Sequence, residues 1–277
     1  MRRFRAIDPR IYEICHYFRQ AYVRAVAQAK EFVDFVDPQP GSVVVEVGAG
    51  SGRITFDGGL AERIGAGGQL LVTDPSLAQL RVARQRAEQL GLYWVRFLAA
   101  PVEELPLAPD SADLVLGATF LHFTNEPVAI QSMARIIHPG GRVGLVVGVD
   151  EELGAAWERA FAPIRAQLRA NGVPERSFGI PQEQLVRYLE AAGLVVDRIV
   201  MASRETLRPP SAEIAVGVAR QTRFSALMAR GLPPTASAGI EQAFERDFRA
   251  AIDALGVDAA AVGVRGLSVV ARKPAVD

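Results

Sequence analysis

Two acids and a glycine-rich loop hold most of the chemistry this chain can offer. Residues 43–52 read Val-Val-Val-Glu-Val-Gly-Ala-Gly-Ser-Gly, and Asp74 closes the apolar segment Gln69-Leu70-Leu71-Val72-Thr73. Gly48, Gly50 and Gly52 alternate, so the backbone turns sharply and a ligand can lie against it with no Cβ in the way. Strand, glycine loop, helix, strand and acid is the layout of a nucleoside crevice, with Asp74 placed to accept from both hydroxyls of a ribose. Glu46, two residues before the first glycine, is awkward beside a pyrophosphate. It suits a cationic ligand, met directly or through water.

The loop separates nucleoside ligands further. A dinucleotide fingerprint needs G-x-G-x-x-G, and counting from Gly48 the third glycine position holds Arg53. The histidines His16, His122 and His138 are scattered, and Cys15 is the single cysteine, which leaves no cysteine cage and no internal disulfide. No metal site and no catalytic triad is legible. His122, which follows the Asp110–Gly117 segment at the carboxyl edge of the sheet, is the candidate general base, with a wall residue beside the ligand as the alternative. Tyr12, His16 and Arg19 share one helix face by their spacing and, with His122 and Phe123, are the candidate acceptor contacts. A solvated polar face is the competing reading for the helix trio. His138, before Pro139, reads as a structural turn residue, and Cys15 as buried on an apolar stripe.

These residues need elements to hold them. Ile11, Cys15, Phe18, Tyr22, Ala25, Ala29 and Phe32 recur at steps of three and four, which predicts a helix over 9–36. Asp37-Pro38-Gln39-Pro40-Gly41 stops it. Strands are expected at 43–47, 69–73, 92–98 and 143–149, and helices at 76–90 and 127–137, the latter capped by Asn125. Alternating strands and helices imply a doubly wound parallel sheet. Beyond Val149 a helix bent or broken at Pro163, a helix over 182–192 and a strand over 194–200 are expected. A helical stripe follows through Ile240, Phe244, Phe248, Ile252 and Leu255. Trp157, Phe161 and the aromatics of this late region could line an apolar acceptor pocket or simply pack a core. Gly58-Gly59 reads as a delayed helix start or a close contact.

Acid followed by G-x-G-x-G is the first motif of the class I S-adenosylmethionine-dependent methyltransferases, which this chain resembles over roughly 43–149. The resemblance extends through Val102-Glu103-Glu104-Leu105-Pro106-Leu107, Asp110 to Gly117, Phe120-Leu121-His122-Phe123 and His138-Pro139-Gly140-Gly141-Arg142. It implies a Rossmann-like, mostly parallel seven-stranded sheet, with an N-terminal helix and helical cap insertions here. It also implies S-adenosylmethionine as cofactor, held by Glu46, Gly48, Ala49, Gly50, Gly52, Asp74, Pro75, Ser76, Pro101, Val102 and Thr119. The family commonly places an aspartate after the third strand to accept from the adenine amino group. Here that position is Pro101, which leaves Glu103 or the backbone around Val102 for the base.

Composition narrows the acceptor. The 277 residues carry 31 basic and 31 acidic side chains, a formal net charge of zero, without the basic footprint of a nucleic-acid binder. Neither a membrane span nor a signal-peptide core is legible, so a cytoplasmic protein acting on a small molecule is expected, with oligomeric state unread. The organisation expected is an N-terminal helical segment over 1–40 and a cofactor-binding core over 41–150. A helical insertion with the sixth strand over 151–201, a helical cap over 202–265 and the last strand and tail over 266–277 complete it. Two alternatives stay open. One is a non-methylating S-adenosylmethionine-binding enzyme or binding module, which Pro101 keeps alive. The other is a nicotinamide oxidoreductase, for which Asp74 fits and the glycine spacing does not.

Overall fold

The computed structural model describes residues 19–175, 179–202, 204–222, 224–237 and 239–275. Helix α1 (Arg19–Val36) buries Ala29, Phe32, Val33 and Val36, the apolar stripe expected of it. Its last carbonyls are not left orphaned, because Arg142 donates to Val36 O and Asp37 O, each at 2.9 Å. Tyr12, Cys15 and His16 lie outside the described residues, and Arg19 is described only as backbone at the start of α1.

The sheet is built from β1 (Val43–Val47), β2 (Gln69–Thr73), β3 (Val95–Leu98), β4 (Ala112–Ala118), β5 (Ile137–Leu153), β6 (Val195–Met201), β7 (Glu205–Leu207) and β8 (Val262–Arg272). The strands run in the order β3-β2-β1-β4-β5-β8-β6, with β7 paired to β8. The first five are mutually parallel, and β8 is antiparallel to β5 and β6. This is the expected seven-stranded arrangement, with short β7 added by the late insertion. Strand order reverses between β2-β1 and β1-β4, which opens a crevice at the carboxyl end of β1.

Pleating divides the apolar side chains between two faces. Val44 joins α1, α2 (Leu60–Ile64) and α3 (Leu77–Gln89) in one core. Val45 and Val47 join α4 (Glu126–Ile136) and α6 (Gln182–Ala191) in the other. Glu46 shares the Val44 face by parity and is 1% exposed. His138 is structural, as expected: its Nε2 lies 2.8 Å from Asp113 Oδ1, while Asp113 Oδ2 accepts from Val43 N at 2.7 Å.

Beyond Val149 the structure departs from the sequence reading. β5 does not stop there. A bulge between Gly148 and Asp150 lets it continue to Leu153, opposite Val262 of β8. The last strand therefore starts before residue 266, and Asp150 accepts from both Arg204 and Arg265 to brace the extension. Helix α5 (Ala155–Ala170) runs through Pro163 unbroken, because Pro163 and Arg159, whose carbonyl loses its usual partner, both face solvent.

Helices α7 (Ala212–Thr222), α8 (Phe224–Met228), α9 (Pro234–Ser237) and α10 (Ile240–Leu255) complete the cap. Ser211 Oγ accepts from Ile214 N at 3.3 Å and so caps α7. The cap has its own core, in which Trp157 and Phe161 of α5 meet Phe244 and Phe248 of α10. Ring centroids are 4.2 Å apart for Trp157–Phe248 and 4.8 Å for Phe161–Phe244. These aromatics pack against one another and do not line the crevice, so of the two readings the core-packing one holds.

Candidate functional site

The loop after β1 turns through three left-handed glycines, with φ of 63° at Gly48, 58° at Gly50 and 88° at Gly52. Each serves a different contact. A Cβ on Gly48 would fall 2.4 Å from Phe120 Cβ, so this glycine admits the Phe120 side chain against the loop. One on Gly52 would fall 2.3 Å from the Phe56 ring, which packs beneath the loop. One on Gly50 meets nothing nearer than Gln79 Oε1 at 4.0 Å, so Gly50 faces open space. Gly50→Ala is therefore expected to remain folded at a strain cost of about 1–2 kcal/mol, while placing a methyl group in ligand space. Gly48→Ala should lose more stability through overlap with Phe120. Melting temperatures of the two variants check this order, and equal losses would contradict it.

Gly58 and Gly59 satisfy both readings made of them. Residues Arg53–Asp57 form a wide π-type turn, and α2 begins only after Gly59, at φ 75°. A Cβ on Gly58 would lie 2.6 Å from Ile54 O and 3.1 Å from Ala29 O.

Both acids reach the crevice. Asp74, 9% exposed, accepts from Gly50 N through Oδ2 at 2.9 Å and from Ser76 N through Oδ1 at 2.8 Å. It thus ties the glycine loop to the start of α3. Burial raises its carboxyl above the usual carboxylate range against the pull of these two bonds. Glu46 accepts from Thr55 Oγ1, and burial pushes its carboxyl up to about 8, with the hydroxyl opposing and Asp74 adding to the rise. A carboxyl whose pKa is higher in the folded state binds its proton more tightly there. Stability of the ligand-free protein should therefore fall as pH rises from the ordinary 4.5 through about 8. Glu46→Gln, which cannot ionise, should flatten that slope in melting curves recorded between those limits. An unchanged slope would show that Glu46 does not set it.

A cavity of about 160 Å³ occupies the crevice. Of the expected cofactor contacts, Glu46, Gly48, Ala49, Gly50, Asp74, Pro75, Ser76, Pro101, Val102 and Thr119 line it, and Gly52 does not. Thr119 adopts φ 54°, unusual for a β-branched residue, and its N–H donates to Val146 O at 2.8 Å. Phe120, which packs on Gly48, forms a further stretch of the wall with Phe123 and Thr124. They are brought there by a 3-10 turn over Leu121–Phe123, whose three-residue period aligns Phe120 with Phe123.

His122 is turned out of that wall and is not among the lining residues. It packs on Phe123, ring centroids 4.0 Å apart, and burial next to the Arg230 charge pushes it down to about 4. It is neutral at physiological pH and a weak base. Arg230, from the segment after α8, donates to Phe123 O at 3.2 Å and Thr124 O at 3.5 Å, which joins the cap to the crevice wall. Glu103 lines the crevice while accepting from Asn125 N at 3.0 Å, so the backbone at the start of α4 is met by this carboxylate. Sequence reasoning passed over Gln79, Ser51, Arg53 and Ile54, all of which also line the crevice.

The described residues contain no group of three or more side chains suited to a metal ion, and none of their helices is long and apolar enough to cross a membrane. A family model described as a methyltransferase domain matches residues 44–141. The chain is 30% identical over 206 residues to nocamycin O-methyltransferase from Saccharothrix syringae, covering 68% of this chain and 71% of that protein. It is 32% identical over 177 residues to a ubiquinone/menaquinone biosynthesis C-methyltransferase from Idiomarina loihiensis, covering 58% and 69%. A candidate methyltransferase from Bacillus halodurans C-125 superposes with a TM-score of 0.60 over 90% of this chain and 99% of that one. At 15% identity this last likeness is one of fold alone.

Proposed function

Given that the chain belongs to the class I S-adenosylmethionine-dependent methyltransferase family, we propose that it methylates a small-molecule acceptor held between the crevice and the helical cap. The observation that carries this reading is the grouping of the buried Glu46, the open side of Gly50 and the Asp74 carboxyl around one cavity. The residues fit the cofactor. Space beside Gly50 admits the nucleoside, and each Asp74 oxygen, already accepting one backbone N–H, keeps a second lone pair for a ribose hydroxyl. Pro101 and Val102 border the place for the base, with no side-chain acceptor at Pro101.

When bound, the sulfonium supplies an activated methyl group with a good leaving group. The protein's share is to hold the acceptor in line and to exclude water. Phe120, Phe123 and Thr124 offer a mostly apolar wall for that purpose, steadied by Arg230. With His122 outside the lining, an acceptor already deprotonated or intrinsically nucleophilic suits the site. A net charge of zero supports a small molecule over a nucleic acid. The nicotinamide alternative gains nothing from the relatives, and the two relatives named above methylate different atoms, one oxygen and one carbon, by their names.

Calorimetry with S-adenosylmethionine, S-adenosylhomocysteine and NADH, followed by methyl-transfer assays on a metabolite panel, tests the reading. Binding of the first two, no binding of NADH and transfer to a small molecule are expected. Tight cofactor binding with methylation only of protein or RNA would overturn it.

A further inference from the structure

The glycine loop is tied to α3 twice. At the start of that helix, Asp74 accepts from Gly50 N and Ser76 N. The second tie comes from its last turn, through Arg86, which is not among the residues lining the cavity. The guanidinium of Arg86 meets three neighbours. Nη2 donates to Asp57 Oδ1 at 2.6 Å, Nη1 donates to Ser51 O at 3.4 Å, and the guanidinium carbon stands 4.8 Å from the centre of the Phe56 ring. That ring in turn occupies the place a Cβ on Gly52 would need, 2.3 Å from it. One side chain therefore meets a loop carbonyl, the ring beneath the loop and the end of the π-type turn that follows.

Such a brace matters most before a ligand arrives. Alternating glycines reach the left-handed shape without strain, and they also reach many others. A loop that leaves the binding shape must be ordered again at the moment of binding, which weakens affinity. The bond to Ser51 O is long and holds little by itself. The half-buried pair with Asp57 and the contact with the Phe56 ring fix the guanidinium beneath the loop. Only a planar fork serves here, because one nitrogen pairs with Asp57 while the other reaches Ser51 O; a lysine ammonium is a single point of charge. Resting on the cofactor reading above, we propose that Arg86 is a positioning residue: without touching the ligand, it holds Ser51 and Gly52 in the shape that receives S-adenosylmethionine.

The test combines calorimetric titration of S-adenosylhomocysteine with amide hydrogen exchange of residues 48–53 in the empty and the bound protein. Wild type, Arg86→Met and Arg86→Lys are compared well below their melting temperatures. In Arg86→Met the loop amides should exchange faster in the empty protein and return close to wild-type rates once S-adenosylhomocysteine is bound. Affinity should fall roughly three- to tenfold, the factor by which the binding-competent loop is depleted. Arg86→Lys keeps a charge beside Asp57, so it should recover most of the melting temperature that methionine loses, yet little of the affinity. That split separates positioning from plain stabilisation. Wild-type affinity in both variants, unaltered loop exchange in the empty variants, or recovery of affinity and stability together in lysine would overturn the role. If Arg86→Met does not fold, affinity and exchange in Arg86→Lys decide alone. Failure of the wild type to bind S-adenosylhomocysteine would instead remove the cofactor reading, an outcome distinct from unaltered exchange in the empty variants.

Discussion

Asp74→Ala is expected to weaken S-adenosylmethionine and S-adenosylhomocysteine by roughly tenfold to a few hundredfold, the loss of one or two hydrogen bonds from neutral donors to a charged acceptor. The tertiary contacts change what else this variant does. Asp74 also holds Gly50 N and Ser76 N, so alanine frees the glycine loop and the start of α3 together, and the melting temperature should fall as well. Asp74→Asn separates the two roles. It keeps one oxygen acceptor and removes a carboxylate whose burial is unfavourable, so it should lie nearer the wild type in stability than alanine does. Its cofactor affinity should still be reduced. Adenine and methionine, which lack the diol, should bind the asparagine variant as they bind wild type. Wild-type affinity for S-adenosylhomocysteine in both variants, with only stability lost, would confine Asp74 to a structural role.

Phe248→Ala should be the most destabilising single change in the cap, at about 3–5 kcal/mol. Phe248 is fully buried, with its ring 4.2 Å from Trp157 and 5.6 Å from Phe244. Denaturant unfolding measures the loss. The glycine loop, Asp74 and Val102 come from the sheet ends and their loops, and the cap core meets the crevice at the wall residue Phe123. Cofactor affinity of the still-folded variant should therefore stay close to wild type while turnover falls. Parallel loss of affinity and turnover would mean that the cap shapes the cofactor site too. This point variant tests the cap more cleanly than replacing 202–265 by a turn. The late insertion shares its core with α5, so its removal would uncover Trp157, Phe161, Ile164 and Leu168.

β1 and β2 were legible to the residue, at Val43–Val47 and Gln69–Thr73, because central parallel strands covered on both faces need mostly apolar runs. α10 was legible because its one apolar face keeps the helical period from Ile240 to Leu255. The glycine loop and Asp74 were legible for a chemical reason: few backbones other than a ligand crevice ask for that alternation followed by an acid at a strand end.

The extension of β5 was not legible. Asp150-Glu151-Glu152 shows no strand pattern, and pairing with β8, braced by Arg204 and Arg265 on Asp150, makes it a strand. The aromatics of α5 and α10 are apolar in either setting, so only the packing of one helix on the other assigned them to the cap core. His122 reads as a crevice residue from its place after β4, yet the tight turn at Leu121–Phe123 gives the wall to Phe120 and Phe123. The strands, the loop and the acid could be read from the residues alone, because they depend on local backbone rules and on side-chain type. Which side chains wall the crevice and where the late aromatics pack depend on contacts between distant elements, as when Arg204 and Arg265 meet Asp150, and those contacts form only in the fold.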